Sequence, residues 1–274
     1  MNNFEKILFM LQGEMAEATS FGWFHLLWIF LTIIAIFILF RMRNKHSDKQ
    51  LKWVLGIYGI IALLLEVLKQ ISWAFNYDPV TNLITWEYEW YAAPFQLCTT
   101  PIYVSLICLF LKNTKIRKSL LSYMAYVTIL GSFMTIIIPD DCLIDEILIN
   151  IHTMWLHCGS FVVSIYLLIS KEVEINIDNF KRAFVVFLIF AFIAEVLNIV
   201  VYNSGILNGD TFNMFYISPY FISSLPIFNL IQEIVPFVIF LLIYIFAIFV
   251  GSLIVYGISY MIQEFNRKIN HECK

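Results

Sequence analysis

The sequence predicts an all-α membrane protein: a bundle of seven transmembrane helices with the N-terminus outside and the C-terminus in the cytoplasm. Hydrophobic residues make up 61% of the 274 and charged residues 14%, and the mean hydropathy is +0.81, outside the range of ordinary soluble domains. The apolar residues gather into seven runs, near 21–40, 53–76, 90–111, 120–138, 149–170, 183–202 and 234–261. Each run approaches the ~20 residues that a spanning helix needs. Charge orients the bundle. The connections "RMRNKHSDKQLK", "KNTKIRK" and "KEVEINIDNFKR" and the tail "QEFNRKINHECK" hold every Lys and Arg except Lys6 and Lys69. Basic connections face the cytoplasm, so the loops near 78–89, 140–146 and 204–233 are expected outside.

Taken in order, the first element is an interfacial segment, 1–20. Phe4, Leu8, Leu11 and Met15 recur at helical spacing, with Glu5, Glu14 and Glu17 off that stripe, the pattern of a helix lying on a membrane surface. No basic flank, apolar run and small-residue cleavage site follow one another here, so no removable signal peptide is expected. Residues 21–261 are read as one membrane domain and 262–274 as a cytoplasmic tail. The outer loop "FNMFYISPYFISSLPIFNLI" is too aromatic for water and is expected to lie at the interface or dip in as a lid, because aromatic rings favour headgroup depth. Of the five cysteines, Cys98, Cys108 and Cys158 fall inside apolar runs, Cys142 in an outer loop and Cys273 in the tail. That is no disulfide framework.

An ionisable side chain at membrane depth is costly, which makes each one a candidate functional residue. With about 1.5 Å of rise per residue, Cys98 on the third span, His157 on the fifth and Lys69 on the second all lie roughly 12 Å below the outer boundary. Glu66 lies one turn deeper, Glu195 shares the layer, Asn198 is one turn shallower, and His25 and His152 lie nearer the surface. The inner halves of these helices carry no ionisable residue except cysteine. Glu66 and Lys69, three residues apart, share a helical face and can neutralise each other. Cys98 sits among Gln96, Thr99 and Thr100, bracketed by Pro94 and Pro101, which free backbone carbonyls and distort the helix; such backbone is tolerated where it lines a cavity. Cys108 and Cys158 read as inert small hydrophobes. His152 and His157 are about 140° apart around a helix and are not expected to look into one site together.

Absences narrow the field. No phosphate-binding glycine loop, nucleophile elbow or dinucleotide fingerprint is present, and the seventh span has no lysine for a retinal Schiff base. No metal is expected, since no His-Glu-x-x-His or paired-cysteine spacing occurs. No cofactor is expected, and no nucleic-acid partner, because the basic residues are accounted for by orientation. A proton-coupled or small-molecule transporter, or a seven-helix sensor, would also gather such polar groups.

In this order and these positions the motifs resemble the transmembrane protein 164 family and bacterial YwaF-type membrane proteins, over nearly all of 21–260. A Leu-Pro-Leu-His-Leu-Cys signature opening the third span corresponds to Ala93-Pro94-Phe95-Gln96-Leu97-Cys98. A His-Gly on the fifth span corresponds to His157-Cys158-Gly159, and an early histidine to His25. A Leu-Ile-Asn before an aromatic loop corresponds to Val196-Leu197-Asn198. Gln96 in place of histidine and the inserted Cys158 are departures. The resemblance implies a phospholipid acyltransferase with Cys98 as nucleophile and His157 as its base, membrane lipids as substrate and a side activity as a lipid hydrolase. Gln96, Thr99 and Asn198 are then candidate oxyanion donors and Lys69 a phosphate holder. Glu66 partners Lys69 or orients His157, and His25, Glu195 and His152 support the polar layer. The expected location is a bacterial plasma membrane, with the site in its outer-leaflet half. The oligomeric state is left open.

Overall fold

The computed structural model describes residues 1–16, 18–43, 47–112, 114–139 and 142–272, with 269–272 described by their backbone alone. Glu17, Asn44–His46, Asn113, Asp140, Asp141 and Cys273, which entered the readings above, lie outside the described residues.

Ten α-helices run in chain order among the described residues: α1 (Asn3–Leu11), α2 (Trp23–Met42), α3 (Asp48–Ala74), α4 (Thr100–Phe110), α5 (Lys115–Tyr123), α6 (Ile129–Ile137), α7 (Ile147–Ile169), α8 (Ile177–Asn203), α9 (Phe228–Ile234) and α10 (Phe237–Glu272). Helices α5 and α6 are joined by a π-helical turn, Met124–Thr128, into one helix, Lys115–Ile137. Six helices are therefore long and apolar enough to cross a membrane.

The expected third span is the departure. Residues 93–99 form no helix, and α4, which follows, has 11 residues. That is too short to cross a bilayer core alone. Proline is the reason. Pro94 and Pro101 donate no backbone hydrogen bond, and Pro101 sits in the first turn of α4, where its missing N–H costs nothing. Nearby hydroxyls take up the carbonyls that the missing turns release. Tyr103 donates to the Pro94 carbonyl, Thr99 to that of Gln96 at 2.9 Å, and Thr100 to that of Leu97 at 2.7 Å.

At the end of the bundle where α3 finishes, a two-stranded antiparallel hairpin, β1 (Phe75–Asp78) and β2 (Leu83–Trp86), stands where a plain loop was expected. Its turn is tied by Asp78, which accepts from the Val80 amide at 2.8 Å and the Thr81 hydroxyl at 2.5 Å; these donors hold its carboxyl below the usual range. Helix α1 docks at this same hairpin end. Asn2 and Glu5 form a capping box at its start, and the Gln12 side chain donates to the Ser72 and Phe75 carbonyls, each at 2.7 Å. Leu8 is buried while Phe4, Ile7 and Met10 stay exposed, an apolar face left uncovered beside the bundle.

Helix α7 is the centre of the packing, against α2, α3 and α6. Gly159 on α7 permits the contact with α3, because a Cβ there would stand 2.7 Å from the Tyr58 ring. The half of the bundle away from the hairpin is filled by Tyr123, Tyr126, Tyr166 and Phe187, all fully buried. The long loop after α8 turns inward as expected of a lid. Met214, Phe215 and Ile217 are buried, with the Phe215 ring 5.9 Å from Phe95 and 6.5 Å from Phe187.

Candidate functional site

A cavity of about 870 Å³ opens at the hairpin end. Its walls come from the last turns of α3, the irregular 89–99 segment, the first half of α7 and the inward loop. Cys98, His157, His152, Lys69, Thr99 and Gln96 all line it, together with Cys142, Trp73 and Tyr216. A second, polar cavity of about 230 Å³ lies at the opposite end, around Lys118, Glu172 and Arg182.

Behind Lys69 and His152 lies Glu66, 3% exposed. Its Oε1 is 2.8 Å from the Lys69 Nζ and also accepts from Gln70 Nε2 at 2.8 Å. Its Oε2 is 2.7 Å from His152 Nε2. A carboxylate paired with lysine only accepts hydrogen bonds, so His152 is the donor, through Nε2–H. Lys69 also donates to the Ala92 carbonyl at 3.2 Å. Two buried chargeable groups, Lys69 and His152, thus share one carboxylate, and both line the cavity. His152, expected at the surface, is instead 5% exposed and bound to Glu66. The expectation that His152 and His157 look into different places is corrected too: the cavity is broad enough to take in both sides of that helical face.

His157 lines the cavity, and neither of its ring nitrogens hydrogen-bonds a described residue. Glu66 does not orient it. No hydrogen bond joins Cys98 to either histidine among the described residues; what they share is the cavity.

Gln96 and Asn198 hold the inward loop. Gln96 Nε2 donates to the Asn213 carbonyl at 3.0 Å while its Oε1 accepts from the Phe215 amide at 2.9 Å. Asn198 does the same for Met214, donating to its carbonyl at 3.1 Å and accepting from its amide at 2.7 Å. These bonds make the two residues anchors of the loop, and Gln96 also lines the cavity. The anchoring has a purpose. Phe215 and Tyr216 have φ of 58° and 60°, a conformation that side chains of this size adopt only when their surroundings impose it. The Thr99 hydroxyl is likewise occupied, by the Gln96 carbonyl.

His25 and Glu195 lie away from the cavity. His25 is fully buried; it accepts from the Phe21 amide at 3.0 Å through Nδ1 and donates to the Ile136 carbonyl at 3.0 Å through Nε2, pinning the start of α2 to the end of α6. Glu195 is half-buried on α8, one turn before Asn198, with one carboxylate oxygen lacking a hydrogen-bond partner among the described residues. At the cavity mouth, burial pushes the Glu146 carboxyl above its ordinary range, and the Trp73 indole N–H, 3.1 Å away, partly offsets this. Burial raises Glu89 as well, helped by Asp210 and Glu87.

Gln70, Tyr216, Trp73 and Cys142 were not singled out from the sequence. Gln70 was within reach, one turn from Glu66 on the same helical face. Tyr216 was not, because a distant loop delivers it.

The model of the TMEM164 family matches residues 20–256. No curated protein and no solved structure matches the chain significantly.

Proposed function

The chain belongs to the TMEM164 family, and from that premise we propose that it is a membrane-embedded lipid acyltransferase, moving a fatty acyl group between phospholipid and lysophospholipid through a thioester on Cys98. The observation that carries this reading is the cavity that Cys98 shares with two histidines of α7 and with Lys69. A thiol needs a base or a nearby cation to become a nucleophile, and this cavity offers both.

In the first half-reaction the Cys98 sulfur attacks the ester carbonyl carbon of a phospholipid and its proton passes to a histidine of α7, His157 by the resemblance. The tetrahedral intermediate collapses, the carbon–oxygen bond breaks, and the histidine returns the proton to the departing lysophospholipid oxygen. In the second half, a lysophospholipid hydroxyl gives its proton to the same histidine and attacks the thioester, and the thiol is restored. Lys69 has three donors and uses two, on Glu66 and the Ala92 carbonyl. The third serves the developing oxyanion or the lipid phosphate. The loop held by Gln96 and Asn198 keeps water from the thioester; water in place of the acceptor gives the hydrolase side reaction.

The proposed topology has seven crossings, the third made of the irregular 93–99 segment continued by α4. The N-terminus is outside and the basic connections are cytoplasmic, so the cavity opens in the outer leaflet of a bacterial plasma membrane. A transporter needs a route to the other side. The cavity is lined from the hairpin ends of its helices, and the buried tyrosines beyond it separate it from the polar cavity at the other end.

The test is peptide mass spectrometry on protein in lipid discs that contain a labelled-acyl phospholipid. A hydroxylamine-sensitive label on Cys98, absent from Cys98→Ser, is the expected result. An unlabelled Cys98 in folded protein would sink the acyl-enzyme and favour transport.

A further inference from the structure

We infer that the base acting on Cys98 is His152, oriented by Glu66, and that His157 is not that base. The inference rests on the acyl-enzyme reading and refines it.

A base that must take a proton at one defined atom needs its other ring nitrogen held, and in nucleophilic sites a third group does the holding. His152 has that group. Glu66 Oε2 is 2.7 Å from its Nε2, Lys69 and Gln70 fix Glu66 in turn, and Glu66, Lys69 and His152 are buried. This leaves Nδ1 to take the proton. His157 lines the same cavity with neither nitrogen held by a described residue, so nothing fixes its tautomer or its ring.

Charge supports the same choice. Before transfer, the set formed by Cys98, His152, Glu66 and Lys69 is a neutral thiol, a neutral imidazole and one ion pair. When the thiol proton moves from Sγ to His152 Nδ1, a thiolate and an imidazolium appear, and the net charge is unchanged. The imidazolium forms against Glu66, already in hydrogen-bond contact. The thiolate forms on the wall of the cavity that Lys69 also lines. The Glu66 carboxylate is thus in place before the proton moves, which costs no reorganisation at the moment of reaction. A proton sent to His157 would put a new cation in the cavity with no carboxylate in hydrogen-bond contact among the described residues. After attack, the same proton returns from Nδ1 to the departing lysophospholipid oxygen, and the balance closes.

The experiment has two readouts on the full chain in lipid discs. The first is the rate of Cys98 acylation from the labelled phospholipid. The second is the rate of Cys98 alkylation by iodoacetamide, which needs the thiolate but no lipid chemistry. His152→Ala is expected to slow acylation by about 100-fold or more and to slow alkylation with it, and added imidazole is expected to restore part of both. Glu66→Gln is expected to fall between wild type and His152→Ala, with partial recovery in Glu66→Asp, and whatever rate His157→Ala loses is not expected to be restored by imidazole. Rescue by imidazole separates loss of a proton acceptor from loss of fold. The inference is overturned if His157→Ala silences Cys98 while His152→Ala does not, or if folded His152→Ala is slow and imidazole restores nothing. If wild-type Cys98 is alkylated in a His152-dependent way yet never acylated, the acyltransferase reading fails and the assignment of the base survives.

Discussion

Two buried polar clusters face the same cavity, and they are built differently. In one, Gln96 and Asn198 are neutral and bond the backbone of 213–215. In the other, Glu66, Lys69 and His152 share charges, and Lys69 and His152 line the cavity with Lys69 using two of its three donors. A saturated neutral cluster holds shape, because each bond is local and complete. A charged cluster with spare capacity can meet a ligand or move a proton, and the protein bears the cost of burying it.

The comparison breaks most sharply at Cys98. Cys98→Ser is expected to abolish labelling from an acyl-labelled phospholipid while the thermal transition of the purified protein is unchanged. Loss of fold with loss of label would make the residue structural. Next in size, Glu66→Ala strands Lys69 and His152 in a buried setting, with an expected loss of about 3–5 kcal/mol, read as a lowered unfolding midpoint in detergent. A change near zero would mean that the charges are hydrated and not held. Gln96→Ala and Asn198→Ala leave the buried backbone amides of Phe215 and Met214, respectively, unpaired, at a cost of about 1–3 kcal/mol. Their expected signature is faster proteolysis within 204–227, with Cys98 still reactive; an inert Cys98 with an intact loop would put these amides in the chemistry. Gly159→Ala, with its Cβ against the Tyr58 ring, is expected to cost about 1–3 kcal/mol by overpacking and to shift both histidines, so labelling should slow in proportion.

The smallest effect is at the mouth. The folded protein resists ionising Glu89 because burial, Asp210 and Glu87 all raise its carboxyl. The sign follows: that penalty is absent at low pH and grows as pH rises through the ordinary glutamate value of about 4.3. Glu89→Gln is therefore expected to stabilise at neutral pH, by less than about 1 kcal/mol after solvent screening, and to do nothing below that range. Equal unfolding midpoints for variant and wild type at neutral pH would show the carboxylate to be fully hydrated.

The loop anchors show where reading by depth stops. Gln96 and Asn198 were found because polar residues at membrane depth are rare, yet their role depends on a loop more than a hundred residues from Gln96. Hydrogen-bond partners at that separation leave no local trace. His25 was found for the same reason and proved to be a helix pin. His152 was placed at the surface because a rise per residue gives depth along a helix and not the shape of the neighbouring wall.

What the sequence by itself determined is what depends on composition and local spacing. Six long apolar helices follow from runs of about 20 apolar residues, the break before α4 from Pro94 and Pro101, the inward loop from its aromatic content, and the Glu66–Lys69 pair from a separation of three on one helical face. Tertiary structure alone decided which of those polar groups meet. It brought Glu66 of α3 to His152 of α7, turned Gln96 and Asn198 to a common loop, and left His25 and Glu195 outside the cavity. The reason is geometric: a helix sets the angle between its own side chains, but the partner that each one reaches is set by how whole helices pack, and that is a sum over many contacts distant in sequence.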